Sequence, residues 1–328
     1  MSEFLEVDSL KSIAHKMHEL DSFVVCGHVS PDGDCIGSQL ALYHALKSLG
    51  KKVICVLAKD EPIEQGLLFL PGVDMIVSAQ DYHESVDAFI ACDVPTLNRM
   101  GAAQEIHARC EYTFTLDHHQ SKQLMSDFNY IDPRQASTTM IIWDLIAELG
   151  IQASPDMALC AYTGLMTDTG GFRFQNADAL AFAAASKMVH AGANPAQIAR
   201  EVFQNRTQAS LKLEALAIER LYIPQNNSYA LSYLRREDFE NLHATKNDAD
   251  PLINTFRALK GISAACILRE QEGSVRGSIR AKDDADVAKI ATYFNGGGHK
   301  AAAGFTVYAS LDEAIEQVKS LLDVSFAL

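Results

Sequence analysis

Short apolar runs that alternate with helical patterns fill the first half of this sequence and constrain its fold more than any other feature. Runs rich in β-branched and aromatic residues lie at 23–27, 52–57, 87–92 and 112–116. Helical spacing of apolar residues covers 36–49, 138–149, 156–167 and 177–191. Strands that alternate with helices predict βαβ units, so we expect an α/β fold whose mostly parallel β-sheet is flanked by helices.

A different pattern begins after the first half. Positions 194–223 are mostly helical in pattern and contain no predicted strand. Strand-like runs then occur at 228–234, 264–269, 274–282 and 304–308, and helical patterns at 251–259, 286–294 and 311–322. This mixture is typical of a smaller α+β domain. We therefore predict an N-terminal domain over 1–193, a helical connector over 194–223 and a C-terminal domain over 224–328.

Composition and charge limit the classes of ligand. Hydrophobic residues make up 48% of the chain and charged residues 21%, which allows a globular protein to bury real cores. The formal net charge of −14 argues against a surface for long duplex nucleic acid, which binds through basic patches. A small phosphorylated ligand is compatible with this charge, because bound metal ions can supply a local positive site.

The targeting and cysteine patterns indicate a cytoplasmic protein without a membrane partner. The sequence starts with a polar, acidic stretch, unlike a signal peptide, and no apolar run reaches the roughly 18 residues of a membrane helix. Seven cysteines are scattered without a Cys-x-x-Cys pair. This scatter favours buried thiols in a reducing compartment over a zinc site or a disulfide framework.

Aspartate and histidine residues follow three of the predicted strands and one predicted helix. They are His28, Asp32, Asp34, Asp93, Asp117, His118, His119 and Asp168. The carboxyl ends of parallel strands meet at one edge of a sheet, where ligands bind in such folds. Carboxylate and imidazole groups suit Mn²⁺ or Mg²⁺, and a pair of such ions can promote phosphoryl displacement. The alternative for the first segment is a simple turn in which Asp34 caps the following helix.

These motifs resemble those of the DHH phosphoesterase family. The matching segments are His28-x-x-Pro31-Asp32-Gly33-Asp34, Asp93, Asp117-His118-His119, Asp168-Thr-Gly-Gly and, for the DHH-associated domain, Gly296-Gly297-Gly298-His299. The resemblance covers nearly the whole chain. The subgroup that the chain resembles most is the nanoRNase and pAp-phosphatase (NrnA-like) group, which has two domains and about this length.

The resemblance implies two divalent cations, with Mn²⁺ favoured over Mg²⁺. His28, Asp32 and Asp93 would hold one ion, and Asp34, Asp93, His118 and Asp168 would hold the other. Asp93 would therefore bridge the two ions. The resemblance also implies catalytic roles for Asp117, which would orient a ligand, and for His119, which would face the substrate phosphate or the leaving group. Arg99 matches an arginine that the family places near the phosphate.

A basic stripe in the second half points to the substrate. In the run 274–282, alternate positions carry Ser274, Arg276, Ser278, Arg280 and Lys282, while the positions between them are apolar or glycine. One strand face is thus basic and hydroxylated, which is either a solvated sheet face or an anion-binding face. The glycines of the run Gly296-Gly297-Gly298 could also let backbone N–H groups approach a phosphate closely.

We expect the substrate to be held by both halves of the chain. The resemblance implies that Arg280 and His299 clamp a terminal phosphate or nucleotide, and we add Ser278, Gly297 and Gly298 to this candidate set. The C-terminal domain would then be the substrate-binding domain, and a cleft between the two domains would favour short oligomers.

The predicted function is hydrolysis of short oligoribonucleotides, including dinucleotides, and of 3′-phosphoadenosine 5′-phosphate. Three alternatives stay open at this point. They are a cyclic or linear dinucleotide phosphodiesterase, an inorganic pyrophosphatase and a non-catalytic nucleotide sensor. The full set of motif carboxylates and imidazoles weighs against the sensor. The oligomeric state is left open, a homodimer included.

Overall fold

Six parallel strands form the sheet of the first half of the chain in this computed structural model. In spatial order the strands run β3-β2-β1-β4-β5-β6. Their bounds are β1 Ser22–Cys26, β2 Lys52–Leu57, β3 Val77–Ser78, β4 Ala88–Cys92, β5 Tyr112–Asp117 and β6 Phe128–Ile131. Every neighbouring pair is parallel. The central strand β4 is buried along its whole length, as expected for a strand covered on both faces.

Helices pack against both faces of this sheet and confirm the predicted α/β architecture. They are α1 Leu10–Glu19, α2 Gly33–Ser48, α3 Gln104–Arg109, α4 Thr138–Glu148, α5 Pro155–Asp168, α6 Ala179–His190 and α7 Pro195–Phe203. The larger core lies on one face and includes residues of α1, α2, α4 and α5. The smaller core lies on the other face and includes Ile106 of α3.

A second, mixed sheet organises the rest of the chain, in the order β10-β11-β9-β8-β7. Its strands are β7 Tyr229–Leu234, β8 Ala264–Gln271, β9 Ser274–Ala281, β10 Gly297–His299 and β11 Ala302–Val307. Its helices are α8 Gln208–Glu219, α9 Arg236–Leu242, α10 Lys246–Ala249, α11 Leu252–Arg257, α12 Val287–Tyr293 and α13 Leu311–Ser325. Strands β7 and β8 are parallel and the remaining pairs are antiparallel. The predicted α+β character is thus confirmed.

The chain divides into two compact units, Met1–Asn205 and Arg206–Leu328. The structure describes residues 7–120, 123–282 and 285–326. The stretch 194–223 is shared between the units, because Ile198 of α7 belongs to the core of the first and Leu213 of α8 to a core of the second. None of the helices within the described ranges combines the length and apolarity needed to cross a membrane.

The strand order creates the place for a site. From β1 the chain moves to β2 on one side, whereas β4 pairs with β1 on the other side. Loops that leave the carboxyl ends of β1 and β4 therefore diverge, and in open α/β sheets ligands bind in the crevice at such a switch point. The loops after these two strands carry His28 and Asp93.

Close packing of α2 on α5 fixes one wall of this crevice. A Cβ atom at Gly37 would lie 2.6 Å from the carbonyl oxygen of Cys160, and one at Gly164 would lie 2.8 Å from Oδ1 of Asp34. Neither glycine has a positive φ angle, so the close approach of the helices explains both residues.

We predict that Gly37→Ala destabilises the protein. Alanine normally favours a helix interior over glycine by about 1 kcal/mol, but overpacking costs about 1–3 kcal/mol and should dominate here. Urea denaturation should show a lower free energy of unfolding. The control is Ser186→Ala on the exposed face of α6, which should leave stability unchanged or slightly higher. Equal stability of Gly37→Ala and wild type would contradict the tight helix contact.

Candidate metal centre

The loop after β1 delivers the first candidate ligands. Asp32 is the N-cap of α2, since its Oδ1 accepts the backbone N–H groups of Asp34 and Cys35 at 3.1 Å each. Our alternative of Asp34 as the cap was wrong, because Asp34 lies inside the first helical turn and is buried. Asp32 therefore lies at the exposed edge of the cluster, and Asp34 lies in its interior.

The N-terminus of α4 holds the buried carboxylate of Asp34. Its oxygens accept the backbone N–H of Thr138 at 2.6 Å and that of Thr139 at 2.9 Å. The Thr138 hydroxyl donates to Oδ1 of Asp93 at 3.0 Å. Free N–H groups at a helix N-terminus favour a negative charge, so α4 stabilises an ionised Asp34. The sequence analysis did not single out Thr138, whose only signal is its place after the N-cap Ser137.

Asp93 lies at the centre of the cluster. It follows β4 with a φ of 61°, in the left-handed region, and it is buried. Oδ2 lies 3.3 Å from Nε2 of His28, and Oδ1 lies 3.6 Å from Nε2 of His118 and 3.3 Å from Nδ1 of His119. Its two oxygens therefore point to different histidines.

The six predicted ligands form two adjoining groups. Within each group the ligand atoms lie within 4.8 Å of one another. The first group consists of His28, Asp32 and Asp93, and the second consists of Asp34, His118 and Asp168. Asp93 also forms a group with His118 and His119. Asp168, the last residue of α5, lies 3.3 Å from Nε2 of His118. Strand ends of β1, β4 and β5 thus meet the end of one helix.

Backbone carbonyls orient two of the imidazoles. Nδ1 of His28 lies 3.0 Å from the carbonyl oxygen of Val29, and Nδ1 of His118 lies 3.2 Å from that of Gln135. When Nδ1–H donates to the carbonyl, Nε2 presents a lone pair to the carboxylates, which is the arrangement a metal ligand requires. Arg99 also reaches this cluster, with its Nη2 3.1 Å from Nδ1 of His28.

Asp117 pairs with His119 and not with His28 or His118. Its Oδ1 lies 2.6 Å from Nδ1 of His119 and also accepts the backbone N–H of that residue at 3.1 Å. Asp117 is fully buried, and its Oδ2 has no hydrogen-bond partner in the described part of the chain. The side chain that Asp117 orients is therefore His119.

The crowding of carboxylates shapes their electrostatics. Burial raises the pKa of Asp34 to about 7, and the charge of Asp93 adds to the rise. Burial also raises the pKa of Asp168 well above its usual range, again with help from Asp34. Within the described ranges, the ion pairs of Asp34, Asp93 and Asp168 involve histidines alone. A divalent cation would relieve this repulsion, and the oxygen and imidazole donors fit such a cation.

The predicted substrate residues of the second half lie in the mixed sheet. The register pairs Arg280 with Ala302, which in turn pairs with His299 across β10 and β11. Oγ of Ser278 lies 3.3 Å from a guanidinium nitrogen of Arg269. Gly297 and Gly298 are exposed in β10, whereas the side chain of His299 lies outside the described part.

Comparison with known proteins gives two family matches. Residues 22–165 match the DHH family, N-terminal domain, and residues 226–324 match the DHHA1 domain. The bifunctional oligoribonuclease and PAP phosphatase NrnA of Thermus thermophilus is 29% identical over 90% of this chain and 87% of its own length. The enzyme of the same name from Bacillus subtilis is 25% identical over 90% of this chain and 91% of its own length.

A solved structure has the same fold over nearly its whole length. This exopolyphosphatase-related protein from Bacteroides fragilis aligns with a TM-score of 0.91 and 28% identity, over 96% of both chains.

We predict that divalent cations stabilise the protein through Asp93. Because ligands that bind only the native state shift unfolding by mass action, excess Mn²⁺ should raise the melting temperature of the wild type. Asp93→Asn should lose most of this rise, and asparagine tolerates the left-handed backbone at this position. The control Asp21→Asn makes the same charge change on a side chain that is 96% exposed. A similar Mn²⁺-induced rise in all three proteins would contradict a site at Asp93.

Proposed function

We propose, given that the chain belongs to the DHH family and is NrnA-like, that it hydrolyses phosphate esters in short oligoribonucleotides and in 3′-phosphoadenosine 5′-phosphate. The observation that carries the proposal is the convergence of carboxylates and imidazoles around Asp93 at the carboxyl edge of the parallel sheet. The NrnA relatives, named for these two activities, match along most of the chain and support the same substrate class.

Two divalent cations would occupy the cluster, with Mn²⁺ favoured over Mg²⁺. His28, Asp32 and Asp93 would hold one, and Asp34, Asp93, His118 and Asp168 the other. Such a pair of ions supplies an activated water and neutralises charge on the reacting phosphate. Thr138 and the N-terminus of α4 would hold Asp93 and Asp34 in place for both ions.

His119 would act as a hydrogen-bond or proton donor to the substrate. Burial opposes the charged imidazole, but the hydrogen bond to Asp117 and the charges of Asp93 and Asp117 raise the pKa of His119 to about 9. A protonated His119 can donate a hydrogen bond to a phosphate oxygen or a proton to the leaving oxygen. Arg99, a fork of N–H donors beside the cluster, would bind a non-reacting phosphate oxygen.

The C-terminal domain, over 224–328, would bind the nucleotide, and the domain over 1–193 would carry the chemistry. Arg280 and Ser278 of β9 would contact phosphate and ribose together with Gly297, Gly298 and His299 of β10. The cytoplasm is the proposed location, and it fits seven cysteines that are all free thiols, six of them buried.

A substrate panel tests the proposed reaction. With Mn²⁺ present, we expect release of mononucleotide from diadenylate and of phosphate from 3′-phosphoadenosine 5′-phosphate. Asp93→Asn should lower kcat by about 10³-fold or more, since loss of a central ligand disrupts the whole catalytic unit. Asp21→Asn should retain full activity.

The same panel separates the alternatives. Turnover of cyclic dinucleotides or pyrophosphate without turnover of diadenylate would overturn the substrate assignment. Equal rates on diadenylate and on a long RNA would indicate a processive nuclease.

A second prediction concerns the nucleotide-binding residues. We expect Arg280→Ala to raise KM for diadenylate about tenfold, as for loss of a charge-assisted hydrogen bond, with bound Mn²⁺ unchanged. Steady-state kinetics and metal analysis of the same preparations measure both quantities. Lys289→Ala removes a positive charge on a side chain that is 84% exposed, and should leave KM unaltered. Loss of Mn²⁺ from Arg280→Ala would show that Arg280 acts at the metal centre instead.

A further inference from the structure

A cavity of 480 Å³ lies in the second unit, beside Arg276 of β9. We call it the Arg276 cavity. Its lining includes Arg276, Tyr293, Asn295, Gly296, Thr306 and Tyr308. These residues come from β9, from the end of α12 and its following turn, and from the end of β11. The metal cluster consists of residues of the first unit, so the cavity and the cluster share no residue.

Arg276 is a half-buried cation with no anionic partner among the residues that the structure describes. Its guanidinium donates to the hydroxyl of Thr306 at 3.3 Å, and no carboxylate of the described residues lies within ion-pairing distance. The neighbouring Arg269, by contrast, is paired with Asp250 at 2.7 Å. Burial lowers the pKa of Arg276, and the charge of Arg269 lowers it further. In a chain with 42 acidic and 28 basic residues, an uncompensated cation in a cavity is a distinctive feature.

Gly304 makes room for this guanidinium. A Cβ atom at Gly304 would lie 2.7 Å from Nη2 of Arg276. Gly304 has no positive φ angle, so backbone conformation does not require a glycine there. Because glycine weakens a strand interior, its presence in β11 is explained by the space that Arg276 needs.

Two exposed tyrosines flank the cation. The side chains of Tyr293 and Tyr308 are 71% and 86% exposed, far more than is usual for aromatic residues. Aromatic faces of this kind stack on nucleobases without regard to sequence, and the planar arginine fork matches phosphate oxygens. A phosphate with a base beside it would therefore satisfy both features of the cavity.

We propose that the Arg276 cavity binds a second phosphate of the substrate strand, with a base stacked on Tyr293 or Tyr308. This inference rests on the proposed function, because it extends the oligonucleotide beyond the nucleotide held at Arg280. Arg276 and Arg280 lie on the same face of β9, four residues apart, so that their Cα atoms are about 13 Å from each other. With each guanidinium binding its own phosphate, the cavity would serve substrates longer than a dinucleotide.

Binding without turnover tests the site. Fluorescence anisotropy in EDTA would compare 5′-fluorescein-labelled tetraadenylate with the labelled dinucleotide. We expect Arg276→Gln to weaken tetraadenylate binding about tenfold and to leave dinucleotide binding within about twofold. Gly304→Ala, which keeps the charge but displaces the guanidinium, should act in the same direction. Tyr308→Ala should also weaken the binding of tetraadenylate selectively. Because this side chain is exposed, the substitution should not affect folding strongly.

The controls separate this proposal from the proposed function. Arg236→Gln removes an exposed charge from α9 and should change neither affinity. Equal losses for both lengths, or no loss in Arg276→Gln, would overturn the second phosphate site. A wild type that binds tetraadenylate through Arg276 but hydrolyses no nucleotide with Mn²⁺ would retain the site and refute the proposed function. Normal dinucleotide hydrolysis by the wild type, together with an Arg276→Gln variant that loses no tetraadenylate affinity, would retain the proposed function and overturn the site.

Discussion

The repulsion among buried and half-buried aspartates at the switch point of the parallel sheet is the constraint on which the rest of the first unit depends. Asp34, Asp93 and Asp168 converge in a space where burial disfavours charge, and histidines are their ion-pair partners within the described residues. The fold offsets this cost with directed donors: the N-terminus of α4 for Asp34 and the Thr138 hydroxyl for Asp93. A cation site is the arrangement that makes such convergence favourable.

Much of the fold could be predicted because its strands are apolar and end in polar residues. The runs at 52–57 and 112–116 correspond closely to β2 and β5, and membership of the DHH family is supported by the two family matches. The elements that were missed carry weaker signals. Strand β3 has two residues, and β6 is only partly buried, so neither shows a full alternation of apolar residues.

The site was predictable to the extent that its residues follow strand ends. The structure brings the six predicted ligands together, and their roles remain proposals. Thr138 could not be inferred, because it acts on Asp34 from 104 residues away and only through the direction of α4. Arg276 was visible as part of a basic stripe, but the absence of a carboxylate partner among the described residues depends on how β8, β9 and β11 pair. The local sequence does not show which strands pair with each other.

The double use of Asp34 has a consequence for how this protein can change. The same carboxylate that faces His118 also accepts the first N–H groups of α4, and Gly164 leaves room for it on α5. Replacing it with an apolar residue would relieve the charge conflict but leave the start of a core helix without its acceptor. The stability of this domain and its activity therefore both depend on the carboxylate of Asp34. Selection at this position cannot improve one of them without reducing the other.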